Sequence, residues 1–198
     1  SEGAFSTCNE IKSFEFSKNS QITKIDNKAF FNSSINSIVI SSSINQICEN
    51  AFSSCTKLSK VEFSDKSQLK IIEKEAFSDC SFEIIKFPPE LTRMCECTFS
   101  YCSNLRKIKI PSNSKLKMIE KDVFYGSSIE SISFPPSLIE LEEGWCDNTS
   151  KLTEINIDPN NHNFLFYDNK FLIGKSNQEN ENFDQLLFSR RDIENSII

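Results

Sequence analysis

The chain of 198 residues is poor in several residue types on which enzymes and cofactor sites depend. It has a single histidine, His162, and only four glycines. A Ser-His-Asp or Cys-His arrangement would have to rely on His162 alone, and the upstream glycine of a phosphate-binding loop is missing before Gly174-Lys175-Ser176. We therefore expect no catalytic site, no bound cofactor and no enzymatic activity.

An excess of positive charge and long apolar runs are also lacking. Lys and Arg number 22 against 28 Asp and Glu, and the formal net charge is -6. This balance disfavours nucleic acid and, taken over the whole chain, acidic partners in general. The apolar runs extend for only a few residues, whereas a membrane-spanning helix needs about 20, so we expect no direct membrane insertion. The start at Ser1-Glu2-Gly3-Ala4-Phe5 has no signal-peptide pattern and falls inside a repeat, and we therefore expect a fragment of a longer protein.

What the chain does contain is phenylalanine, with 18 residues, and a regular internal repeat. The pattern of residues 51–63 returns at residues 98–110. Its aromatic position recurs in steps that alternate between 25 and 22 residues, so two steps make a double repeat of 47: Phe5, Phe30, Phe52, Phe77, Phe99, Phe124 and, in the seventh place, Cys146. A fixed period of this kind indicates a solenoid, in which each coil contacts only its neighbours.

Each unit combines a short strand, a turn and a return segment. Apolar residues alternate at the strand, as in Val61 and Phe63 or Ile108 and Ile110, which predicts one inward face. Turns such as Pro88-Pro89 follow, because proline cannot donate to a strand ladder. Stacking of the units would place the repeated phenylalanines above one another as an internal column. Truncation of one such ring to alanine should cost about 3–5 kcal/mol.

These residues resemble a known family, the BspA-like leucine-rich repeats. The family unit reads as leucine, two residues, isoleucine, a proline-containing turn, leucine, two residues, isoleucine and then Ala-Phe. The matching residues of one unit are Leu105, Ile108, Ile110-Pro111, Leu116, Ile119 and Val123-Phe124. The resemblance covers about residues 3–157, with Trp145-Cys146 replacing Ala-Phe in the seventh unit.

The resemblance implies the following architecture. Residues 1–157 would form a leucine-rich-repeat-like solenoid of about seven coils with a Phe-rich core. Short parallel strands would make one curved sheet, and the returns would be irregular, 3-10 or short-helical. Residues 158–198 resemble, from Asp158 to Leu172, the segment that interrupts such arrays, and would form hairpins that cap the last coil. Asn195-Ser196-Ile197-Ile198 could then be the first residues of a further repeat.

The family also implies a function. Its members are surface proteins of microbes, including parasitic protists and oral bacteria, that bind host-cell or extracellular-matrix proteins. We therefore expect a non-enzymatic protein-protein interaction module, displayed at the cell surface or secreted as part of an adhesin. Two alternatives stay open: an intracellular, cytoplasmic scaffold that uses the same surface, and a structural spacer within a larger surface protein.

The eight cysteines recur at repeat positions: Cys8, Cys55, Cys80 and Cys102 three residues after the aromatic, and Cys48 and Cys95 47 residues apart. Periodic placement favours thiols that fill an inward corner as small apolar groups. Disulfides between neighbouring coils, Cys55 to Cys80 or Cys80 to Cys102, are an alternative because adjacent strands stack about 4.8 Å apart. A metal site from Cys95-Glu96-Cys97 with Cys102 is another, although the spacing matches no zinc knuckle.

The outward strand residues should display a grid on the curved sheet, and such faces are where solenoids bind protein partners. Within that grid we expect the partner-binding patch at a basic strip beside an apolar residue: Lys60, Glu62, Ile84, Lys86, Lys107 and Lys109. Two sequons begin at Asn32 and Asn148, and either asparagine would accept a glycan if the protein is secreted.

Overall fold

Each repeat unit forms one coil of a solenoid in the computed structural model, which describes residues 1–17, 19–177 and 179–190. The strands within these residues, in chain order, are β1 (Ser13–Glu15), β2 (Lys24–Ile25), β3 (Ser37–Ile40), β4 (Gln46–Ile47), β5 (Lys60–Phe63), β6 (Ile71–Ile72), β7 (Ile84–Lys86), β8 (Arg93–Met94), β9 (Lys107–Lys109), β10 (Met118–Ile119), β11 (Ser131–Phe134), β12 (Glu140–Leu141), β13 (Glu154–Ile157), β14 (Phe164–Tyr167), β15 (Phe171–Gly174) and β16 (Gln185–Ser189). Strands β1 to β13 build the coils, and β14 to β16 form a separate antiparallel sheet.

The odd-numbered strands from β1 to β13 form the front of the solenoid. Their period of two buries Ile38 and Val61 and exposes Val39 and Glu62. The parallel register aligns equivalent repeat positions, with Ile38 beside Val61 and Val39 beside Glu62. The predicted strands and their inward face are therefore confirmed. The array has seven front strands but six return strands, so it completes about six turns rather than the seven coils counted from the corner positions.

The front strands form two sheets rather than the single curved sheet expected from the sequence: β1-β3-β5 and β7-β9-β11-β13. Strands β5 and β7 are neighbours without a shared ladder. The distance along the chain from the corner aromatic to the inward strand residue is nine residues from Phe52 to Val61 but eight from Phe77 to Ile85. The same change, from a nine-residue to an eight-residue spacing, occurs between β9 and β11 and between β1 and β3. Strands β9 and β11 share only one register pair, although β1 and β3 share three. One residue of difference thus offsets the ladder at two of the three such steps.

The return segments form a second parallel sheet of two-residue strands, in the order β12-β10-β8-β6-β4-β2. No helix lies in the described residues, so the short-helical returns allowed by the sequence are not adopted there. Left-handed residues at the corners explain this, because such a residue ends a helix. Asn50 and Ser54, which flank Phe52, have φ values of 56° and 60°. It follows that the described residues include no helix long and apolar enough to cross a membrane.

Hydrogen bonds at each corner alternate between the coil itself and the next coil. The N–H of Ser53 donates to the Asn50 carbonyl within its own coil at 3.2 Å. The N–H of Phe52 donates to Ala76 in the following coil at 2.8 Å. This pattern satisfies the backbone groups of a corner that is neither helix nor strand.

The core is a column of phenylalanine rings, as the repeat predicts. Ring centroids lie 5.1 Å apart between Phe30 and Phe52, 5.0 Å between Phe52 and Phe77, and 5.7 Å between Phe77 and Phe99. These pairs are nearly parallel, with interplanar angles of 6°, 2° and 5°. In the seventh unit Trp145 supplies the ring in place of Cys146. Its indole meets Phe124 edge-on at 6.1 Å and 85°, so the column ends in a T-shaped contact.

The sheet of β14 to β16 packs against the last coil. Buried Asn161 donates from Nδ2 to the carbonyls of Pro135 at 2.8 Å and Leu138 at 3.0 Å. These bonds tie the loop that leads into β14 to the preceding turn. The division of the chain after residue 157 stays a prediction, and Asn195-Ser196-Ile197-Ile198 lie outside the described residues.

Candidate interaction surface

The outward side chains of the front strands make one surface, here called the front face: Ser13, Glu15, Ser37, Val39, Lys60, Glu62, Ile84, Lys86, Lys107, Lys109, Ser131, Ser133, Glu154 and Asn156. Twelve of these residues are exposed, and Ser37 and Ser131 are half-buried. Because neighbouring strands lie about 4.8 Å apart, equivalent residues form rows across the coils. A partner on this face would therefore contact several coils at once.

Strands β7 and β9 carry the most basic part of the front face. Their register places Lys86 beside Lys109 and Ile84 beside Lys107. Ile84 is 48% exposed. Within the described part of the chain, none of the three ammonium groups has a carboxylate within 4.0 Å. Like charges opposite one another destabilise a sheet, so this uncompensated pair favours an anionic partner. We call Ile84, Lys86, Lys107 and Lys109 the lysine strip.

The other two residues predicted for the patch stand apart from this strip. Lys60 Nζ lies 3.0 Å from Glu62 Oε1, so the charge of Lys60 is already paired. Both residues are on β5, which shares no ladder with β7. The structure thus brings four of the six predicted residues together on two paired strands.

The two sequon asparagines lie at coil corners rather than on front strands. Asn32 and Asn148 are exposed and have φ values of 51° and 58°. The third residue of the first sequon, Ser34, is buried, whereas the equivalent Ser150 is exposed. Glycosylation of either asparagine stays a prediction.

The cysteines form no disulfides with one another in the described residues, and three of them form a column beside the phenylalanines. Each thiol of the column donates to the carbonyl of the aromatic residue in the preceding coil: Cys55 to Phe30 at 2.9 Å, Cys80 to Phe52 at 3.2 Å and Cys102 to Phe77 at 3.1 Å. Burial raises the pKa of the Cys80 thiol well above its ordinary value and that of Cys102 to about 12. Protonated thiols with hydrogen-bond partners are structural groups, because the thiolate is the nucleophile and metal ligand.

The cysteines considered as metal ligands do not converge. In residues 1–17, 19–177 and 179–190, the single group of three potential ligands with donor atoms within 4.8 Å of one another is Glu96, Cys97 and Asp122, without Cys95 or Cys102. Burial raises the pKa of the Cys95 thiol to about 11. Glu96 is also paired with a lysine at 3.0 Å. We assign no metal site to this cluster.

Two glutamates that the sequence interpretation did not identify join neighbouring coils. Glu73 accepts hydrogen bonds from Gln46 Nε2 at 2.5 Å and from the backbone N–H of Glu49 at 3.0 Å. Glu120 accepts equivalent bonds from the Arg93 guanidinium and from a backbone N–H at 2.9 Å. Glu73 and Glu120, like Gln46 and Arg93, are 47 residues apart, and that spacing could have identified them.

A trough follows the carboxyl ends of the front strands, made of four depressions that share lining residues. The largest has a volume of about 820 Å³ and is lined by residues that include Phe63, Lys86, Pro88 and Pro111. Apolar residues at alternate strand ends face the trough and are only half-buried: Phe16, Phe63, Ile110 and Ile157.

This partial exposure corrects the expectation that every apolar residue of the strand pattern points fully inward. The intervening strand ends, Ile40, Phe87 and Phe134, are completely buried. The difference follows turn length. Five residues lie between Phe63 and the next buried leucine, Leu69, whereas three lie between Phe87 and its equivalent, Leu91. A longer turn leaves one side of the strand-end side chain uncovered.

Comparison with known proteins agrees with this architecture. The profile of the BspA type leucine rich repeat region matches in six copies, over residues 1–70 and 70–192. No curated protein matches the chain significantly. The match in six copies fits the six return strands.

Solved structures of bacterial proteins share the fold. The pneumococcal vaccine antigen PcpA is 24% identical, with a TM-score of 0.73 over 84% of this chain and 45% of PcpA. A leucine rich cell surface protein from Faecalibacterium prausnitzii A2-165 is 22% identical, with a TM-score of 0.60 over 85% of this chain and 52% of that protein. The leucine rich repeat protein of T. pallidum is 25% identical, with a TM-score of 0.68 over 74% of this chain and 69% of that protein.

The chain spans about half the length of the first two of these proteins. Their similarity concerns the coil, with its parallel strands and stacked core. The family profile extends over nearly all of the sequence and repeats with the coils. The chain therefore belongs to the family of BspA-type leucine-rich-repeat proteins.

Proposed function

We propose that this chain is a protein-binding module of a microbial surface adhesin, which binds a host-cell or extracellular-matrix protein through its front face. The observation that carries the proposal is the lysine strip. Membership of the leucine-rich-repeat family supports a role in protein binding. Surface display is proposed from the same membership, because the family resemblance implies microbial surface proteins.

The lysine strip combines two properties of a contact patch. Ile84 offers exposed apolar surface at its edge, and burial of such surface drives association. Lys86, Lys107 and Lys109 add positive charge that no neighbouring carboxylate neutralises within the described residues. In a chain of net charge -6, this local field would attract an acidic patch while the remaining surface repels it. The partner would thereby be oriented on the front face.

The proposed role is non-enzymatic. His162, the single histidine, is exposed in the loop that leads into β14. The buried thiols of the cysteine column are engaged with backbone carbonyls. The chemistry available at the surface is therefore that of recognition, through charge and apolar contact.

The absence of disulfides in the described residues favours a second candidate, an intracellular scaffold that uses the same face. No disulfide joins the cysteines in the described residues, as is usual in a reducing compartment. Mass spectrometry of the protein from its native source separates the two candidates. A glycan at Asn32 or Asn148 would support surface display, and unmodified asparagines with reduced thiols would support the scaffold.

Binding of the purified chain to intact host cells and to immobilised matrix proteins tests the adhesin. The decisive variant changes Lys86, Lys107 and Lys109 to Glu. A matched control changes Lys28, Lys70 and Lys117 to Glu. These three lysines are also exposed, lie off the front face and have no carboxylate partner in the described residues.

We expect saturable binding that the strip variant weakens by about tenfold or more, equivalent to about 1.4 kcal/mol, and that the control variant retains. Each variant changes the net charge by the same amount, so loss in both would mean that only overall charge matters. Equal binding by the strip variant and the unmodified chain would contradict the proposal.

A further inference from the structure

We propose that Asn148 carries an N-linked glycan whose first sugar packs on the ring of Tyr101. This inference rests on the proposed surface display, because asparagine is glycosylated in chains that leave the cytosol. It deepens that proposal by naming the modified residue and the side chain that the sugar contacts. Three observations lead to it: two tyrosines that interrupt the repeat, the contacts around Gly126, and the free amide of Asn148.

Two tyrosines depart from the pattern of the coil corners. The position two residues after the corner position holds a short side chain or none in every coil except that of Tyr101: Thr7, Asn32, Ser54, Asp79, Tyr101, Gly126 and Asn148. The position one residue after it holds serine in four coils and Tyr125 in the sixth. Neither tyrosine belongs to the buried core. Departures from a local rule that the core does not require are candidates for a functional role.

The two tyrosine rings form an exposed pair. Tyr101 is 58% exposed, and its ring centroid lies 5.4 Å from that of Tyr125 at an interplanar angle of 76°. This contact holds the ring of Tyr101 in place before any sugar packs on it. Little conformational entropy would therefore be lost when the sugar docks.

Gly126 brings the ring of Tyr101 close to Asn148. The three residues occupy the same corner position in successive coils. A Cβ atom at Gly126 would lie 3.6 Å from Tyr101 Cε1 and 3.9 Å from Asn148 Nδ2. These two distances add up to 7.5 Å, which is the greatest possible separation of Cε1 and Nδ2. Because glycine leaves the space between them open, a sugar on Nδ2 can reach the ring.

Asn148 also presents an acceptor amide. Its side chain is exposed and makes no hydrogen bond within the part of the chain that the structure describes. The enzymes that attach N-linked glycans bind the hydroxyl of the third sequon residue, and Ser150 is exposed. The hydroxyl of the intervening Thr149 is already engaged, since it donates to the Cys146 carbonyl at 2.5 Å.

An aromatic face suits the first sugar of such a glycan. The face of the ring carries negative potential. The axial C–H groups of β-linked N-acetylglucosamine are weakly positive and lie on the two faces of its ring, so one set of them packs on the aromatic face while the hydroxyl groups stay in water.

The other sequon provides a comparison within the same chain. Asn32 has the same corner position and also a serine two residues later, but its neighbours in the row are Thr7 and Ser54. No aromatic residue occupies that row within two coils of Asn32. A sugar at Asn32 would therefore have no exposed ring in its row to pack on.

Expression of the whole chain in the secretory pathway of a eukaryotic cell tests the inference. The chain carries Asn32→Gln, so that Asn148 is the one sequon left, and mass spectrometry should find Asn148 modified. Trimming by an endoglycosidase then leaves a single N-acetylglucosamine, and complete enzymatic removal gives the reference form. We expect the single sugar to raise Tm by about 2 °C or more relative to this reference. We also expect nuclear Overhauser contacts between its protons and those of the Tyr101 ring.

Variants locate the sugar on the ring. Tyr101→Ser introduces the residue that Ser54 supplies at the same corner position, and it should abolish the gain in Tm although the sugar is still attached. Tyr167→Ser is the matched control, because Tyr167 is 60% exposed and belongs to β14 of the terminal sheet, and this variant should keep the gain. Comparison of the gain within each variant cancels the effect of the substitution itself. The chain with Asn148→Gln in place of Asn32→Gln should show no gain from a sugar at Asn32.

The outcomes separate this inference from the proposed adhesin function. An unmodified Asn148, a missing contact with the ring, or an equal gain in Tyr101→Ser overturns the inference. Attachment to host cells is measured separately, with the chain produced without glycans. If the inference is overturned but attachment depends on the lysine strip, the adhesin proposal stands. If the sugar packs on Tyr101 but attachment does not depend on the strip, the inference stands and the adhesin proposal is wrong.

Discussion

The corner residues are the most strictly repeated part of the chain in backbone conformation. In every coil, the residues two before and two after the corner position have positive φ, between 51° and 77°. They run from Gly3 and Thr7 in the first coil to Gly144 and Asn148 in the last. Most of these positions hold residues with a Cβ atom, for which the left-handed conformation is unfavourable by about 1–2 kcal/mol. The corners are therefore sites of stored backbone strain.

Exchanges between glycine and other residues at the corners should change stability in opposite directions. Lys28 is exposed with φ 54°, and Lys28→Gly should raise the free energy of unfolding by about 0.5–1 kcal/mol. Gly144→Ala, at φ 77°, should lower it by about 1 kcal/mol. An added Cβ at Gly144 would be 3.4 Å from its nearest atom, so the cost is mainly conformational. Urea unfolding measures both changes, and Lys28→Ala, which keeps the Cβ, should have little effect. A Gly144→Ala variant as stable as the unmodified chain would contradict the predicted conformational cost.

Individual residues differ in how well the sequence predicts them. The period of the phenylalanines predicts the ring column, and the structure confirms it. Trp145 was not predicted as the ring of the seventh unit, because the repeat assigns that place to Cys146, whereas the indole meets the column from the residue before it. The left-handed residues were also not predicted, since Lys28 and Glu75 carry none of the preference for this conformation that glycine and asparagine have.

Neighbouring coils are joined by carboxylates that follow return strands, among them Glu73, Glu120 and Glu142. Glu120 is buried and binds both the guanidinium of Arg93 and the backbone N–H of Glu96. The side chain thus satisfies a backbone donor that the two-residue strand leaves without a ladder partner. The contribution of such a bond depends on the alternative, which here is a half-buried backbone N–H left without an acceptor.

Removal of this carboxylate should destabilise the solenoid. Glu120→Ala should lower the free energy of unfolding by about 1–3 kcal/mol, because it leaves Arg93 and a backbone N–H without their acceptor. Glu83→Ala is the control: Glu83 forms an exposed pair with Arg106 at 4.0 Å, and such pairs contribute at most about 1 kcal/mol. Thermal or urea unfolding would measure both. Equal effects of the two substitutions would mean that Glu120 contributes no more than a surface charge.

Strand patterns predict the elements but not all of their surroundings. A period of two identifies the inward face of β5, yet it cannot show that the turn after Phe63 leaves that ring half-uncovered. It also cannot show that Lys60 bends toward Glu62, since both belong to the outward set. The missing ladder between β5 and β7 arises from a one-residue difference in the corner arcs, which the sequence contains but whose effect depends on packing.

Across the whole molecule, local stability should vary from coil to coil, because each coil contacts only its neighbours. Phe77 is buried between two stacked rings at 5.0 Å and 5.7 Å, so Phe77→Ala should cost about 3–5 kcal/mol. Phe5 is half-buried with one stacked neighbour, and Phe5→Ala should cost less than half as much. Amide hydrogen exchange would show protection lost through the central coils in the first variant and in the first coil alone in the second. Uniform loss of protection in both would indicate a globally cooperative unit instead.

The double repeat of 47 residues has a consequence for how such arrays can grow. The core repeats with every coil, whereas the half-exposed strand ends at Phe16, Phe63 and Ile110 repeat with every second coil. Duplication of a pair of units would lengthen the protein and preserve both the core repeat of one coil and the surface repeat of two coils. Duplication of a single unit would still stack its phenylalanine. It would, however, shift the half-exposed strand ends by one coil relative to the coils before the duplication. Selection that preserves the surface pattern would therefore favour the addition of even numbers of units. The core would stack equally well after the addition of any number.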